Sequence, residues 1–478
     1  MIILAMLLPV VLGVLLPAIK FKSRRQHAIY IEGVVLVCAA VGAWALLKAP
    51  APAALALPGG QSLALMPDGL ARVVGLSFCL LWPLATLFAL EYMVYDPKQD
   101  QFFARYIALL GPALALSVSA NLLTLLLTYH LIHLGSLPLS SHSGGKRAQA
   151  AARRQLYHQL VSLALTVAGF VVMVAAGAGG QFAYGGRLGI PVDDLLRIAF
   201  VLLALGFGVG AAQFPFHSWL PRVTTGPTAT TALIHDVLLV SSGAFGLARV
   251  IYWCYGVGEL TGTWAQWAPL ALACLTIVYG SVMAFREDEL KPRLAYSTSS
   301  NMGYVFFGLL LMTPQGLTGG LLHLIFHALV KMTLFLAAGT FILRAGVHTV
   351  RDMRGTASHL PVATAAFTVS GFSMTGLPPL LGFLSKWTLA QAAETQNSVL
   401  AWVGMGALLI SAVLTCMYLL IPALEAIWAP RGADALPPRA AGGPIDISLG
   451  ILTLMILGLA FVNSPLFDAV SRVALGQG

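Results

Sequence analysis

The sequence predicts an all-α integral membrane protein of about fourteen transmembrane helices. Three observations lead there. Of 478 residues, 58% are hydrophobic and 9% are charged, against about a quarter charged in soluble domains. The apolar residues fall in runs near the roughly 20 residues that a span needs. The gaps between the runs alternate in charge.

In chain order the runs predict spans over 2–19, 28–47, 70–90, 104–120, 121–140, 156–177, 196–214, 228–253, 266–284, 294–312, 317–343, 362–390, 399–421 and 446–463. The fourth and fifth are nearly continuous, and Asn121 marks the turn between them. The first run has no basic segment ahead of it and carries its positive charges behind it, so it reads as a retained helix and not a leader. Length alone would suggest two or three soluble domains, whereas this composition suggests one polytopic membrane domain.

The loop charges set the topology. One set of loops holds Lys20, Lys22, Arg24 and Arg25; Lys98 and Arg105; Lys146, Arg147, Arg153 and Arg154; Arg222; Arg286, Lys291 and Arg293; Arg344, Arg351 and Arg354; and Arg431 and Arg439. The alternate set holds Lys48, Arg187 and Arg197 with Glu259 and Glu394. By the positive-inside rule the basic loops face the cytoplasm. Both termini then lie on the non-cytoplasmic side of a bacterial-type cytoplasmic (inner) membrane. The net charge of +9 reads as topology, and nucleic acid is not expected as a partner. Cys38, Cys79, Cys254, Cys274 and Cys416 sit in or beside apolar runs without a CxxC pair. They read as buried thiols, neither a disulfide framework nor a metal site.

Two spans are interrupted. The seventh runs into Phe214-Pro215-Phe216-His217, and the twelfth contains Gly376-Leu377-Pro378-Pro379. Proline removes a backbone donor and breaks a helix. Each break alone reads as a packing kink. A matched pair points to an internal repeat with a polar pathway at the breaks.

Ionisable groups at membrane depth need a reason, because a charge at the bilayer centre costs at least ~2.5 kcal/mol. His323, His327 and Lys331 are spaced i, i+4, i+8 and share one helical face. Histidine titrates near neutrality, and a desolvated lysine gives up its proton more readily, so the stripe can pass protons. Lys386 follows the break in span twelve; the alternative is a lysine snorkelling to the interface. His235 and Asp236 are adjacent and point about 100° apart. His130 and His133 share a face. Structural roles remain open for these four.

The segments Gln213-Phe-Pro-Phe-His-Ser-Trp-Leu-Pro221, Gly226-Pro-Thr and Ala232-Leu-Ile-His235 resemble the signature of antiporter-like subunits. Such subunits occur in respiratory complex I, membrane-bound hydrogenases and Mrp-type cation/proton antiporters. Leu290-Lys-Pro-Arg-Leu-Ala-Tyr-Ser-Thr298 with Gly303-Tyr304, His323-x3-His327-Ala-x2-Lys331, and Gly376-Leu-Pro-Pro-x2-Gly-Phe-x-Ser-Lys386 extend the resemblance over roughly 70 to 430. Tyr129 to His142 looks most like the hydrogenase and Mrp branches. The resemblance implies two inverted five-helix repeats with broken helices 7 and 12. It divides the chain into N-terminal helices 1–3 (1–103), a first repeat (104–253), a second repeat (266–421) and helix 14 with the tail (446–478).

It also implies a midplane axis of ionisable residues, and the chain departs from that axis. His130 stands at the position of a glutamate in span five, Gly210 at that of a lysine in span seven, Ser241 at that of a lysine found in some members, and Asp236 where a small apolar residue is usual. The expected relay is His130, His133, His235, Asp236, His323, His327, Lys331 and Lys386, with Pro215, Pro378 and Pro379 at the breaks. Its second half is complete and its first half altered. Gly210 is expected to leave room for water, and Asp236 to pair with His130 or His133.

The function expected is a proton-translocating subunit of a complex I-like or hydrogenase-like respiratory assembly. Partners would be other membrane and peripheral subunits, the lipid bilayer, and protons or Na⁺. No cofactor or metal is expected on this chain, since no GxGxxG lies in a strand–helix context and no thiolate set is present. Redox chemistry would reside in other subunits. The alternatives are a component of an Mrp-type antiporter, the membrane half of an inorganic-carbon uptake pair, and a non-conducting scaffold.

Overall fold

A computed structural model describes residues 1–48, 51–186, 188–429 and 442–477. Arg187, Arg431 and Arg439, counted among the loop charges, lie outside the described residues. The apolar runs close into helices, because backbone polar groups in hydrocarbon must be satisfied within the segment.

The helices are α1 (Ile2–Leu15), α2 (Arg24–Lys48), α3 (Gly69–Tyr92), α4 (Gln99–Ala108), α5 (Leu110–Ser117), α6 (Leu122–Gly135), α7 (Gly145–Ala175) and α8 (Asp194–Gly210). There follow α9 (Thr230–Tyr255), α10 (Trp264–Arg286), α11 (Leu290–Leu310), α12 (Pro314–Ala345), α13 (Pro361–Thr375) and α14 (Leu381–Gln396). The last are α15 (Val399–Trp428), α16 (Pro444–Phe461) and α17 (Ser464–Ala474). Among the described residues, 9 are long and apolar enough to cross a membrane.

Three features differ from the sequence expectation. A short antiparallel hairpin, β1 (Ala53–Ala56) with β2 (Ser62–Leu65), joins α2 to α3, with Ala53 opposite Leu65. The fourth expected span is two helices, α4 and α5, which meet at Leu109 just ahead of Gly111-Pro112. The C-terminal tail holds α17, which packs on α12 and α3. Asn121 caps α6, its side chain accepting from the Thr124 amide.

Both interruptions open the helices. α8 stops at Gly210, and the chain passes Pro215 into a tight 3₁₀ turn at Phe216–Trp219 before α9 begins. α13 stops at Thr375, Gly376 takes φ +90°, and α14 resumes at Leu381 beyond Pro378-Pro379.

At the centre lie α9, α11 and α12. Every residue of α9 is buried, and so are Gly316 to Phe341 of α12 apart from Ile325. A helix apolar all round belongs inside a bundle. α9 is wound wide, in π geometry, over Thr230–Leu239, which includes His235 and Asp236; such widened turns recur at functional sites.

Some basic residues do more than set topology. Arg344, counted with the cytoplasmic charges, is buried and bridges three helices: it meets Glu91 at 2.8 Å and Asp446 at 2.7 Å. Arg249, at the opposite end of the bundle, grips Asp68 through both guanidinium nitrogens. All five cysteines are free thiols; four are buried and Cys416 is half-buried.

Candidate functional site

The buried ionisable groups gather along α6, α9 and α12, and half-buried Lys386 stands at the start of α14. The second-half residues are tied together first. Lys386 reaches back over the break: its Nζ donates to the Met374 carbonyl at 2.6 Å and the Thr375 carbonyl at 3.1 Å. These are carbonyls of the last turn of α13, which a helix end leaves without partners. A cation there also meets the negative end of the helix dipole. Lys386 Nζ lies 5.2 Å from the Tyr304 ring centroid, and the other participant at this ring is His323, stacked at 5.0 Å.

His323 is held on both sides. Its Nε2 meets Asn301 Oδ1 at 3.1 Å and its Nδ1 meets Ser385 Oγ at 2.9 Å. Asn301 uses its amide nitrogen on the Ser297 carbonyl, so its oxygen must accept from His323. In the neutral ring Nε2 then carries the proton, and Ser385 gives its single proton to Nδ1 at 2.9 Å in preference to the Gly382 carbonyl at 3.3 Å. One turn on, His327 is buried with neither ring nitrogen paired among the described residues. One further turn on, Lys331 Nζ donates to the Leu294 carbonyl at 2.7 Å.

That carbonyl is shared. Thr298 Oγ1 lies 3.1 Å from Leu294 O and also donates to the Asp236 carboxylate. A hydroxyl has one proton to give. With Asp236 ionised, Thr298 donates to it. With Asp236 protonated, the acid donates to Thr298, which turns to Leu294. Asp236 and Lys331 also interact electrostatically. Asp236 thus pairs toward α11 and α12. The expected pairing with His130 or His133 does not form: His130 meets Thr166 of α7, and His133 meets Ser242, farther along α9.

The three first-half histidines hang on hydroxyls. Ser140 donates to Gln155 Oε1 at 2.5 Å, so the 2.8 Å contact between Ser140 and His235 is a donation from His235 Nε2. Gln155 in turn donates to Ser136 at 2.8 Å. By the same logic His133 Nε2 donates to Ser242 at 3.0 Å, since that hydroxyl serves Leu239 O. His130 Nε2 meets Thr166 at 2.9 Å, and Thr166 serves Ser162 O. His133 and His235 keep an unpaired Nδ1 among the described residues.

Gly210 does not leave room for water. A Cβ there would lie 2.0 Å from Tyr129 Oη and 3.0 Å from His133 Cε1. The Tyr129 hydroxyl fills the space and bonds Ser162 at 3.1 Å.

Several partners escaped sequence reasoning: Tyr129, Ser140, Gln155, Thr166, Thr298, Asn301, Tyr304 and Ser385. Gln155, Gln159, Ser162 and Thr166 stand at i, i+4, i+7, i+11 of α7, and all are buried. A polar stripe at helical spacing through an apolar run was the signal.

A broken-helix membrane fold with ionisable groups at its core defines a class, and comparison with known proteins names it. Residues 119–415 match the family described as NADH:quinone oxidoreductase/Mrp antiporter, TM. That is more than half of the chain, and the chain belongs to this family. It is 29% identical over 390 residues to NADH-quinone oxidoreductase subunit N of Desulforudis audaxviator (strain MP104C), covering 78% of this chain and 75% of that one. It is 31% identical over 350 residues to a component of a probable K(+)/H(+) antiporter of Rhizobium meliloti (strain 1021), covering 70% of this chain and 34% of that protein. The chain therefore spans only about a third of that relative.

Among solved structures, the membrane-bound sulfane sulfur reductase, an archaeal respiratory membrane complex, contains a chain matching with TM-score 0.86 at 19% identity, over 99% of this chain and 97% of that one. Respiratory complex I from Thermus thermophilus contains one matching with TM-score 0.82 at 23% identity, over 100% of both chains. At these identities the likeness concerns the fold.

Proposed function

We propose that this chain is a proton-translocating subunit of a multisubunit, complex I-like or hydrogenase-like membrane assembly. Its fold is read as fourteen spans, with inverted repeats over 104–253 and 266–421 broken at Pro215 and at Pro378-Pro379. The observation that carries the reading is the Asp236–Thr298–Leu294–Lys331 link. It joins an acid of the first repeat to the basic stripe of the second through one hydroxyl that can turn.

From Lys331 the path continues over His327 and His323 to Lys386. His327 has no fixed partner, which suits a group that must give and take protons with either neighbour. On the other side, the His235–Ser140–Gln155–Ser136 chain leads from the axis toward the loop that follows α6. Electron transfer, where the assembly performs it, falls to other subunits. The bacterial-type inner membrane, with both termini on the non-cytoplasmic side, follows from the loop charges.

One observation favours a second reading. Tyr129 blocks the place beside Gly210 where a lysine would stand, so the first half resembles a closed path. A fully closed path would make the chain a scaffold. A component of an Mrp-type antiporter and the membrane half of a carbon-uptake pair share the same axis.

Purification in mild detergent with mass spectrometry of the bound subunits separates these readings. Iron–sulfur, hydrogenase-like or quinone-reducing subunits support the proposal. Only antiporter components, or a single soluble zinc protein, contradict it.

A further inference from the structure

A cavity of about 520 Å³ opens between α3, α12, α16 and α17. That volume lies within the roughly 300–1,000 Å³ of small-molecule pockets. Ile325 and Leu329 form its α12 wall. Each lies two residues on from His323 or His327, about 200° around the helix. The cavity is therefore on the far side of α12 from the relay. Leu76 and Met455 continue the apolar lining.

Two guanidinium groups complete it: Arg72, in the first turn of α3, and Arg472, in the last turn of α17. Arg72 Nε is buried without a hydrogen-bond partner among the described residues. The nearby carboxylate of Asp68 is engaged by Arg249. Both arginines stand at the face that the loop charges assign to the non-cytoplasmic side. That face is otherwise poor in positive charge, so topology does not account for them.

An apolar cavity carrying two guanidiniums matches an amphiphile with an anionic head. Arginine binds phosphate oxygens through paired, charge-assisted hydrogen bonds, and α17 is short and strongly amphipathic, suited to the membrane interface. We infer that the cavity is a binding site for an anionic phospholipid. One acyl chain lies against Leu76, Ile325, Leu329 and Met455, and the phosphodiester sits between Arg72 and Arg472. The inference stands apart from the transport reading.

The test uses the full chain in its native assembly, extracted in mild detergent, stripped of lipid, and reloaded with phosphatidylglycerol or phosphatidylcholine. Bound phospholipid is counted by mass spectrometry. The native protein should retain phosphatidylglycerol in preference to phosphatidylcholine. Arg72→Gln/Arg472→Gln should lose that retention by at least about tenfold, since charged hydrogen bonds are lost, and Arg72→Lys/Arg472→Lys should keep most of it. Equal retention of both lipids overturns the site, as does an unchanged glutamine variant, a quinone retained instead, or a partner's transmembrane helix seated in the cavity. Should the glutamine variant not assemble, Leu76→Trp fills the apolar wall with both arginines intact. It should lose the lipid, and unchanged retention overturns the inference.

Discussion

Lys331 and Asp236 are linked through one backbone carbonyl and one hydroxyl. Lys331 donates to Leu294 O at 2.7 Å, and Thr298, 3.1 Å from the same oxygen, donates to Asp236. Removing either group changes the electrostatic surroundings of the other, which stays buried. Asp236→Asn and Lys331→Met should each lower the melting temperature of the purified assembly. The double variant should be more stable than the sum of the single losses implies, because coupled sites are not additive. Strictly additive losses would show that the two groups do not communicate.

Gly210 and Tyr129 are matched in volume. Gly210→Ala puts a methyl group 2.0 Å from the Tyr129 hydroxyl and should cost about 1–3 kcal/mol by overpacking. Tyr129→Ala in the same chain should recover stability. Gly210→Lys should be tolerated worse than Gly210→Ala, since it adds an unpaired buried charge. Detergent melting curves of the three variants decide this, and an unperturbed Gly210→Lys would rule out the packing described here.

Asp68 carries a pH signature. Burial pushes its carboxyl up, but the Arg249 charge and hydrogen bonds together with the Ala71 amide outweigh this, and it is held below 3.8. The folded value is thus the lower one. The clasp adds stability above the unfolded pKa, and this is lost as pH falls through the folded value. Asp68→Asn should lower the melting temperature at neutral pH and flatten its decline below about pH 4. A variant with the same pH dependence as the parent would remove Asp68 from the account.

Arg344 holds Glu91 and Asp446 together, and Arg344→Ala leaves two carboxylates facing each other. A loss of about 3–5 kcal/mol is expected, with α16 loosened from α3. Limited proteolysis between α15 and α16 measures it. Cleavage at the parental rate would mean that the triad does not fasten α16.

The all-helical membrane class was legible because hydrocarbon demands long apolar runs. The stripe of His323, His327 and Lys331 was legible because its spacing is helical and its chemistry costly at that depth. The partners were not. Thr298, Asn301 and Ser385 are small polar residues that a membrane helix tolerates anywhere, and only the packing of α11 and α14 on α12 gives them meaning. Arg344 looked like a topology charge because Glu91 and Asp446 lie far away in sequence. The Tyr129–Gly210 exchange was invisible for the same reason: a missing side chain is read only from what fills its space.

The most direct measurement is proton movement across vesicles holding the reconstituted assembly, for Lys331→Ala and Lys386→Ala, each checked for complete assembly. Both should abolish coupled proton movement while the assembly stays intact. Pumping at the parental rate in both would contradict the relay.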